Sequence, residues 1–99
     1  MEYTIERTEV FTAWLSGLDK TDRQRLAVRL NRLENGNFGD HKEISENLFE
    51  LRCFFGDGLR VYYTIRNATV VLLLAGGNKD TQSRSIERAR EMLRELMEE

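Results

Sequence analysis

Arg52 and Arg60 occupy matching phases of two stretches that alternate with period two. In the first, Phe49, Leu51, Cys53 and Phe55 alternate with Glu50, Arg52 and Phe54; in the second, Leu59, Val61, Tyr63 and Ile65 alternate with Arg60, Tyr62, Thr64 and Arg66. That period marks β-strands with successive side chains on opposite faces, and Gly56-Asp57-Gly58 between them reads as a three-residue hairpin loop. Paired side by side, the strands bring both guanidiniums to one face. There they can converge on one phosphate, because each offers a planar fork of two parallel donors. Phe54 and Tyr62 share the face, and aromatics beside arginines are how single-stranded RNA is held by stacking. Lys79, after the following strand, and the loop around Lys42 edge it. A solvated face with Arg–Glu50 salt bridges, carrying aromatics merely because strands favour them, fits the same pattern. Spacing alone leaves both readings open.

Other chemistry is weakly represented. There is no Cys/His cluster, so zinc is not expected, and neither is any other cofactor. No G-x-x-x-x-G-K-[ST] segment occurs, and Gly76-Gly77 is too slight for a nucleotide loop. His41, the single histidine, has no partner nearby in sequence and reads as a surface loop residue. Cys53 is the single cysteine, which rules out an intrachain disulfide. Within its apolar stretch it reads as a small buried hydrophobe.

With 99 residues, 40% hydrophobic and 32% charged, the chain is expected to form one domain, 1–99, of ordinary globular composition. The opening residues carry acids and no apolar core of signal-peptide length. The longest apolar run, Val70 to Ala75, is far short of the roughly 20 residues of a membrane helix. A cytoplasmic protein that does not engage the membrane is expected. The net charge of -2 conceals a pattern, because residues 51–90 hold seven Lys/Arg against three Asp/Glu while both flanks are acidic. A positive segment of this kind suits an anionic ligand.

The elements that must position these residues follow from periodicity. Tyr3 and Ile5 alternate in a short opening strand. Thr8 caps a helix with the stripe Phe11, Trp14, Leu15 and Leu18. Thr21-Asp22-Arg23-Gln24 fits a capping box opening a second helix, whose inner face is Leu26, Leu30 and Leu33. Asn35-Gly36-Asn37 ends it. Phe38 to Glu46 reads as a polar loop. After the two alternating strands and an Asn67-Ala68 turn, Val70 to Ala75 reads as an interior strand covered on both faces. Asp80 or Thr81 caps a last helix with the stripe Ile86, Ala89, Leu93 and Leu96. The expected class is α+β in the order β-α-α-β-β-β-α, a helical hairpin on a mainly antiparallel sheet. The opposite sheet face, with Glu50, Arg52, Arg60, Tyr62, Thr64 and Arg66, is expected to be open, polar and basic.

Residues 50–63 (E-L-R-C-F-F-G-D-G-L-R-V-Y-Y) resemble the central hairpin of HigB-like toxins in the RelE/ParE superfamily, often labelled addiction-module killer proteins. The resemblance extends back through G-N-F-G-D at 36–40 and Phe11-Thr12-Ala13-Trp14-Leu15. It runs forward through G-G-N-K-D-T-Q at 76–82 to Ile86 and Ala89, covering nearly the whole chain in order.

The resemblance implies a RelE-like fold and a type II toxin–antitoxin toxin. Its partner would be a cognate antitoxin, usually a helix-turn-helix protein, and its target translated mRNA in the ribosomal A site, cut without metal. The positions matching the superfamily's basic residues around the scissile phosphate are Arg52, Arg60 and Lys79. Lys42, Phe54, Tyr62 and Arg66 are the expected further RNA contacts. Such cleavage needs a base for the 2′-OH, cations for the phosphorane and an acid for the leaving 5′-oxygen. Arg60 would stabilise charge, Lys79 would donate to the leaving group or pair with phosphate, and Glu50 could be the base or simply a salt-bridge partner. Two departures stand out. Thr81 to Glu87 contains no tyrosine where the best-known nuclease of the superfamily has one, and the chain is slightly acidic where such toxins tend to be basic. The same fold also serves ParE-like gyrase inhibitors, and a non-catalytic module that co-represses DNA with a partner is a third class.

Overall fold

The computed structural model describes residues 2–98; Met1 and Glu99, the ends of the expected 1–99 domain, lie outside the described residues. The chain runs β1 (Thr4–Arg7), α1 (Glu9–Ser16), α2 (Lys20–Glu34), β2 (His41–Ser45), β3 (Leu48–Arg52), β4 (Arg60–Arg66), β5 (Val70–Gly77) and α3 (Gln82–Met97). The five strands form one sheet in the order β1-β5-β4-β3-β2. The β1–β5 pair is parallel and the others are antiparallel. The class is therefore α+β, as expected, with one strand added to the expected order.

That strand, β2, lies where a polar loop was expected. It pairs with β3 at the sheet edge, and of its five residues only Ile44 is even half-buried. An edge strand with both faces wet has no apolar alternation to betray it. A second correction concerns α2. Its N-cap is Asp19, whose side chain accepts from the Asp22 amide at 2.8 Å, and Thr21 lies inside the helix. Thr8 caps α1 as expected, accepting from the Phe11 amide at 3.1 Å. The hairpin after β3 is also wider than three residues, since β3 ends at Arg52 and β4 starts at Arg60.

Both sheet faces are covered. On one, Phe11, Leu26 and Leu33 of the helical hairpin pack on Leu51, Val61, Tyr63, Val71 and Leu73. On the other, Ala89 of α3, with Ile86, Leu93 and Leu96 around it, packs on Leu48, Tyr62, Leu72 and Leu74. The expectation of an open polar face is therefore corrected. Glu50 and Tyr62 are fully buried, and Thr64 is buried too. The apolar stripe of α3 needs an apolar floor, and the interior strand β5 needs cover on both sides; together they close this face.

The β4–β5 register slips between Tyr62 and Tyr63, which face Ala75 and Leu73, so Leu74 is an extra residue in β5. Such a bulge inverts the side-chain phase beyond it. Gly76 consequently meets the ring of Trp14 on α1, while Gly77 meets Ser85 and Thr81 at the start of α3; a Cβ at either position would collide.

Candidate functional site

The sheet register sets Arg52 of β3 directly opposite Arg60 of β4, which in turn faces Gly77 of β5. Among the described residues, none of α3 borders the space in front of the two arginines. Together with Lys79, Cys53, Phe54 and Gly58 they line an open depression of about 360 Å³.

Two like charges directly opposite each other repel, and each is balanced by its own carboxylate. Arg52 Nη2 lies 3.2 Å from Asp40 Oδ1, and Arg60 Nε lies 3.7 Å from Glu50 Oε2. Arg60 is the more constrained of the two. Its Nη1 donates to the Gly58 carbonyl at 2.7 Å, and its side chain is only 15% exposed against 38% for Arg52. Gly58 adopts φ +74°, a left-handed conformation that glycine accepts readily, and it aims its carbonyl at that guanidinium.

Glu50 is the hub beneath the site. Its Oε2 accepts from Tyr62 Oη at 3.0 Å and from Gln82 Nε2 of α3 at 2.8 Å. Its Oε1 is buried with no hydrogen-bond partner among the described residues. Burial pushes the Tyr62 hydroxyl well above the usual tyrosine range, and the charge of Glu50 and its hydrogen bond push in the same direction. Tyr62 therefore stays a neutral donor.

Further contacts hold the rim. Arg29 of α2 donates to the carbonyls of Arg52 at 2.7 Å and Phe38 at 2.9 Å, fixing the end of β3 and the segment before β2. The Lys79 amide donates to the Asp57 carbonyl at 3.2 Å, tying the turn after β5 to the β3–β4 connection. Asn78 and Thr81 bond reciprocally at 3.0 Å, each side chain accepting from the other's amide. Cys53 is buried, and burial raises its thiol pKa despite the nearby Arg29 and Arg60.

The expected site residues divide. Arg52, Arg60, Lys79 and Phe54 come together, and Phe54 is 85% exposed at the rim of the depression. Tyr62, expected to contact RNA, is buried beneath α3 with its hydroxyl committed to Glu50, and is corrected to a supporting residue. Glu50, considered as a base, is equally sealed and cannot reach a ligand from its present position. Arg66 is exposed but stands at the far end of β4, roughly 20 Å from Arg60 at about 3.3 Å per residue. It lines a separate depression with Leu93 and Leu96. Lys42 pairs in register with Glu50, so it shares the sheet face of the arginines without lining their depression. His41 faces Leu51 in register and therefore lies on the helical-hairpin side, with the sheet between it and Arg60. The residues that sequence reasoning missed are Asp40, Gln82 and the Gly58 carbonyl. Their roles arise from contacts across 12, 32 and 2 residues, which no local period announces.

The model of a family described as phage-derived protein Gp49-like matches residues 13–95 of this chain. A Haemophilus influenzae protein described as uncharacterized is 40% identical over 97 residues, covering 97% of this chain and 98% of its own. Three solved structures share the architecture. The Escherichia coli toxin RelE, as a double-arginine variant in the free state, is 17% identical with TM-score 0.68, covering 89% of this chain and 98% of its own. RelE in the archaeal RelE–RelB complex of Pyrococcus horikoshii is 21% identical with TM-score 0.62, covering 80% and 97%. The toxin–antitoxin complex RelBE2 of Mycobacterium tuberculosis gives 19% and 0.66, covering 80% and 100%. At these identities the likeness is one of fold.

Proposed function

The chain belongs to the phage-derived Gp49-like protein family and has the RelE fold, and from that premise we propose that it is the toxin of a type II toxin–antitoxin pair. In this reading it is a HigB-like, ribosome-dependent mRNA endoribonuclease that inhibits translation in the cytoplasm. The observation that carries the reading is the convergence of Arg52, Arg60 and Lys79 on one open depression beside an exposed aromatic, Phe54.

The reaction is attack of a ribose 2′-oxygen on the adjacent phosphorus. A P–O2′ bond forms and the P–O5′ bond breaks, leaving a 2′,3′-cyclic phosphate and a 5′-hydroxyl. Arg60, held by Glu50 and the Gly58 carbonyl, is preorganised to neutralise charge developing on the phosphorane. Arg52 adds a second guanidinium from the facing strand, and Lys79, which lines the same depression, is the residue assigned to protonate the leaving oxygen in this reading. Phe54 offers a face on which a base can stack.

Among the described residues no general base lines the depression: Glu50 is sealed beneath α3, Asp40 is held by Arg52 outside the lining, and His41 is on the other side of the sheet. The site thus supplies charge and leaves in-line geometry and the proton acceptor to its surroundings. Positioning by the ribosome can be worth several kcal/mol of barrier. The partner is a cognate antitoxin, expected to be a helix-turn-helix protein. That solved relatives of this fold appear as toxin–antitoxin complexes supports an antitoxin partner.

Expression of the chain alone should arrest growth, and co-expression of the partner should relieve the arrest. Primer extension on a translated message should show cuts within codons, while naked RNA is cut poorly. Inhibition of gyrase supercoiling with intact message would replace this reading with the ParE-like one.

A further inference from the structure

A second and larger depression lies on the other side of the Asn78–Thr81 turn. Its volume is about 480 Å³, within the range of small-ligand sites. Its floor is the end of β5 at Ala75, Gly76 and Gly77, beyond the last β1 pairing at Arg7–Leu73. One wall is Trp14 of α1; the other is Arg84 and Arg88 of α3. The two glycines set its depth.

Arg84 and Arg88 stand one helical turn apart, about 6 Å along the axis. Both are exposed, and neither has an ion pair or a hydrogen bond among the described residues. The Arg52 and Arg60 pair has carboxylate counterions, whereas this pair has none within ion-pair distance among the described residues. Two uncompensated guanidiniums facing an indole across a glycine floor match a phosphate with its base. Trp14 is half-buried and packs on Phe11 and Gly76, yet it still lines the groove, where an acidic protein segment would use the charges alone. Asn78, which lines this groove, directly precedes Lys79, which lines the first depression, so the two lie on either side of one turn.

We infer that this groove is a second RNA subsite, in which Trp14 stacks a base and Arg84 and Arg88 hold the backbone of a nucleotide flanking the one at Arg60. It rests on the reading of the protein as an RNA-cleaving toxin and extends the footprint beyond the scissile phosphate. Because the subsite makes no base-edge contact, it adds affinity with little sequence preference.

Trp14 is the only tryptophan, so intrinsic fluorescence reports this groove directly. A short unstructured single-stranded RNA should quench it in the full chain. Replacing both arginines (Arg84→Ala with Arg88→Ala) should weaken binding by at least about tenfold, as expected for losing charge-assisted hydrogen bonds. It should also lower the slope of log affinity against log salt by about 0.7, the value for one single-strand phosphate no longer neutralised. The double lysine variant, Arg84→Lys with Arg88→Lys, retains the charge and should retain the slope; urea unfolding of both variants verifies the fold. Silent Trp14 fluorescence, an unchanged slope in the alanine variant, or equal quenching by polyglutamate would each overturn the inference. Its failure is separable from that of the nuclease reading. Cuts in translated message with a silent Trp14 remove only the subsite; RNA quenching that depends on Arg84 and Arg88, with no cuts, removes only the nuclease.

Discussion

Arg52 and Arg60 face each other across β3 and β4, yet they are tethered in different ways. Arg52 leans on Asp40 at the half-exposed rim, while Arg60 is drawn inward to the buried carboxylate of Glu50. The same residue type thus has a surface role and a semi-buried role within one site, and the two substitutions separate on that basis.

Arg52→Ala should abolish growth arrest and message cleavage while shifting urea-derived stability by no more than about 0.5 kcal/mol. Arg60→Ala should abolish activity as well but cost about 1–3 kcal/mol, since it strips a partner from a buried charge. Adding Glu50→Gln to Arg60→Ala removes the stranded charge and should recover most of that stability without restoring cleavage. Recovery of activity in the double variant would remove Arg60 from the chemistry.

Phe54→Ala tests the exposed aromatic. At 85% exposure it contributes little to the core, so melting should be unchanged. Transition-state or RNA affinity should fall by about 1–3 kcal/mol if a base stacks there. Wild-type cleavage by this variant would assign Phe54 no part in RNA contact.

Ala68 stands at φ +64° in the β4–β5 turn, next to Asn67 at φ +53°. Asparagine tolerates this left-handed region, but alanine is strained in it. Ala68→Gly should therefore raise stability by about 0.5–1 kcal/mol in urea unfolding, after allowing for glycine's greater freedom in the unfolded chain. No gain would mean that the turn relaxes around the alanine.

Alkaline pH should unfold the protein cooperatively. Burial holds Cys53, Tyr62 and Tyr63 above their ordinary values of 9.0, 10.0 and 10.0. The native state therefore favours the protonated forms. This contribution is complete below about pH 9 and declines as pH rises past the ordinary values toward the native ones. Urea midpoints across this range should fall together with a rise in tyrosinate absorbance. Native-state ionisation of Tyr62 and Tyr63 near pH 10, without unfolding, would contradict their burial.

The helical hairpin, β3, β4 and β5 were legible because their apolar periods are clean, and the pairing of Arg52 with Arg60 followed from strand phase alone. Two failures share a cause. β2 lacks an inward face along most of its length, so composition reads it as loop. The second sheet face was read from Glu50, Thr64 and the arginines as open, although the unbroken run Val70 to Ala75 already required cover on both sides. That requirement applies to the neighbouring strand as well, and it is what buries Tyr62. The supporting contacts from Asp40 and Gln82 depend on where the ends of distant elements meet, and no period within either element encodes that.

Leu74 shows a different kind of information. Its side chain is one leucine among three in a row, and swapping their order would alter no hydropathy profile. What matters is that the strand is one residue longer than its pairing requires. Deleting Leu74 would leave an equally greasy strand in unbroken register with β4, with Gly76 still opposite Val61 and Gly77 still opposite Arg60, so both glycines would keep their faces. The bulge thus absorbs the extra residue, and pairing with Val61 and Arg60, rather than a count of residues from the β4–β5 turn, determines which helix each glycine meets.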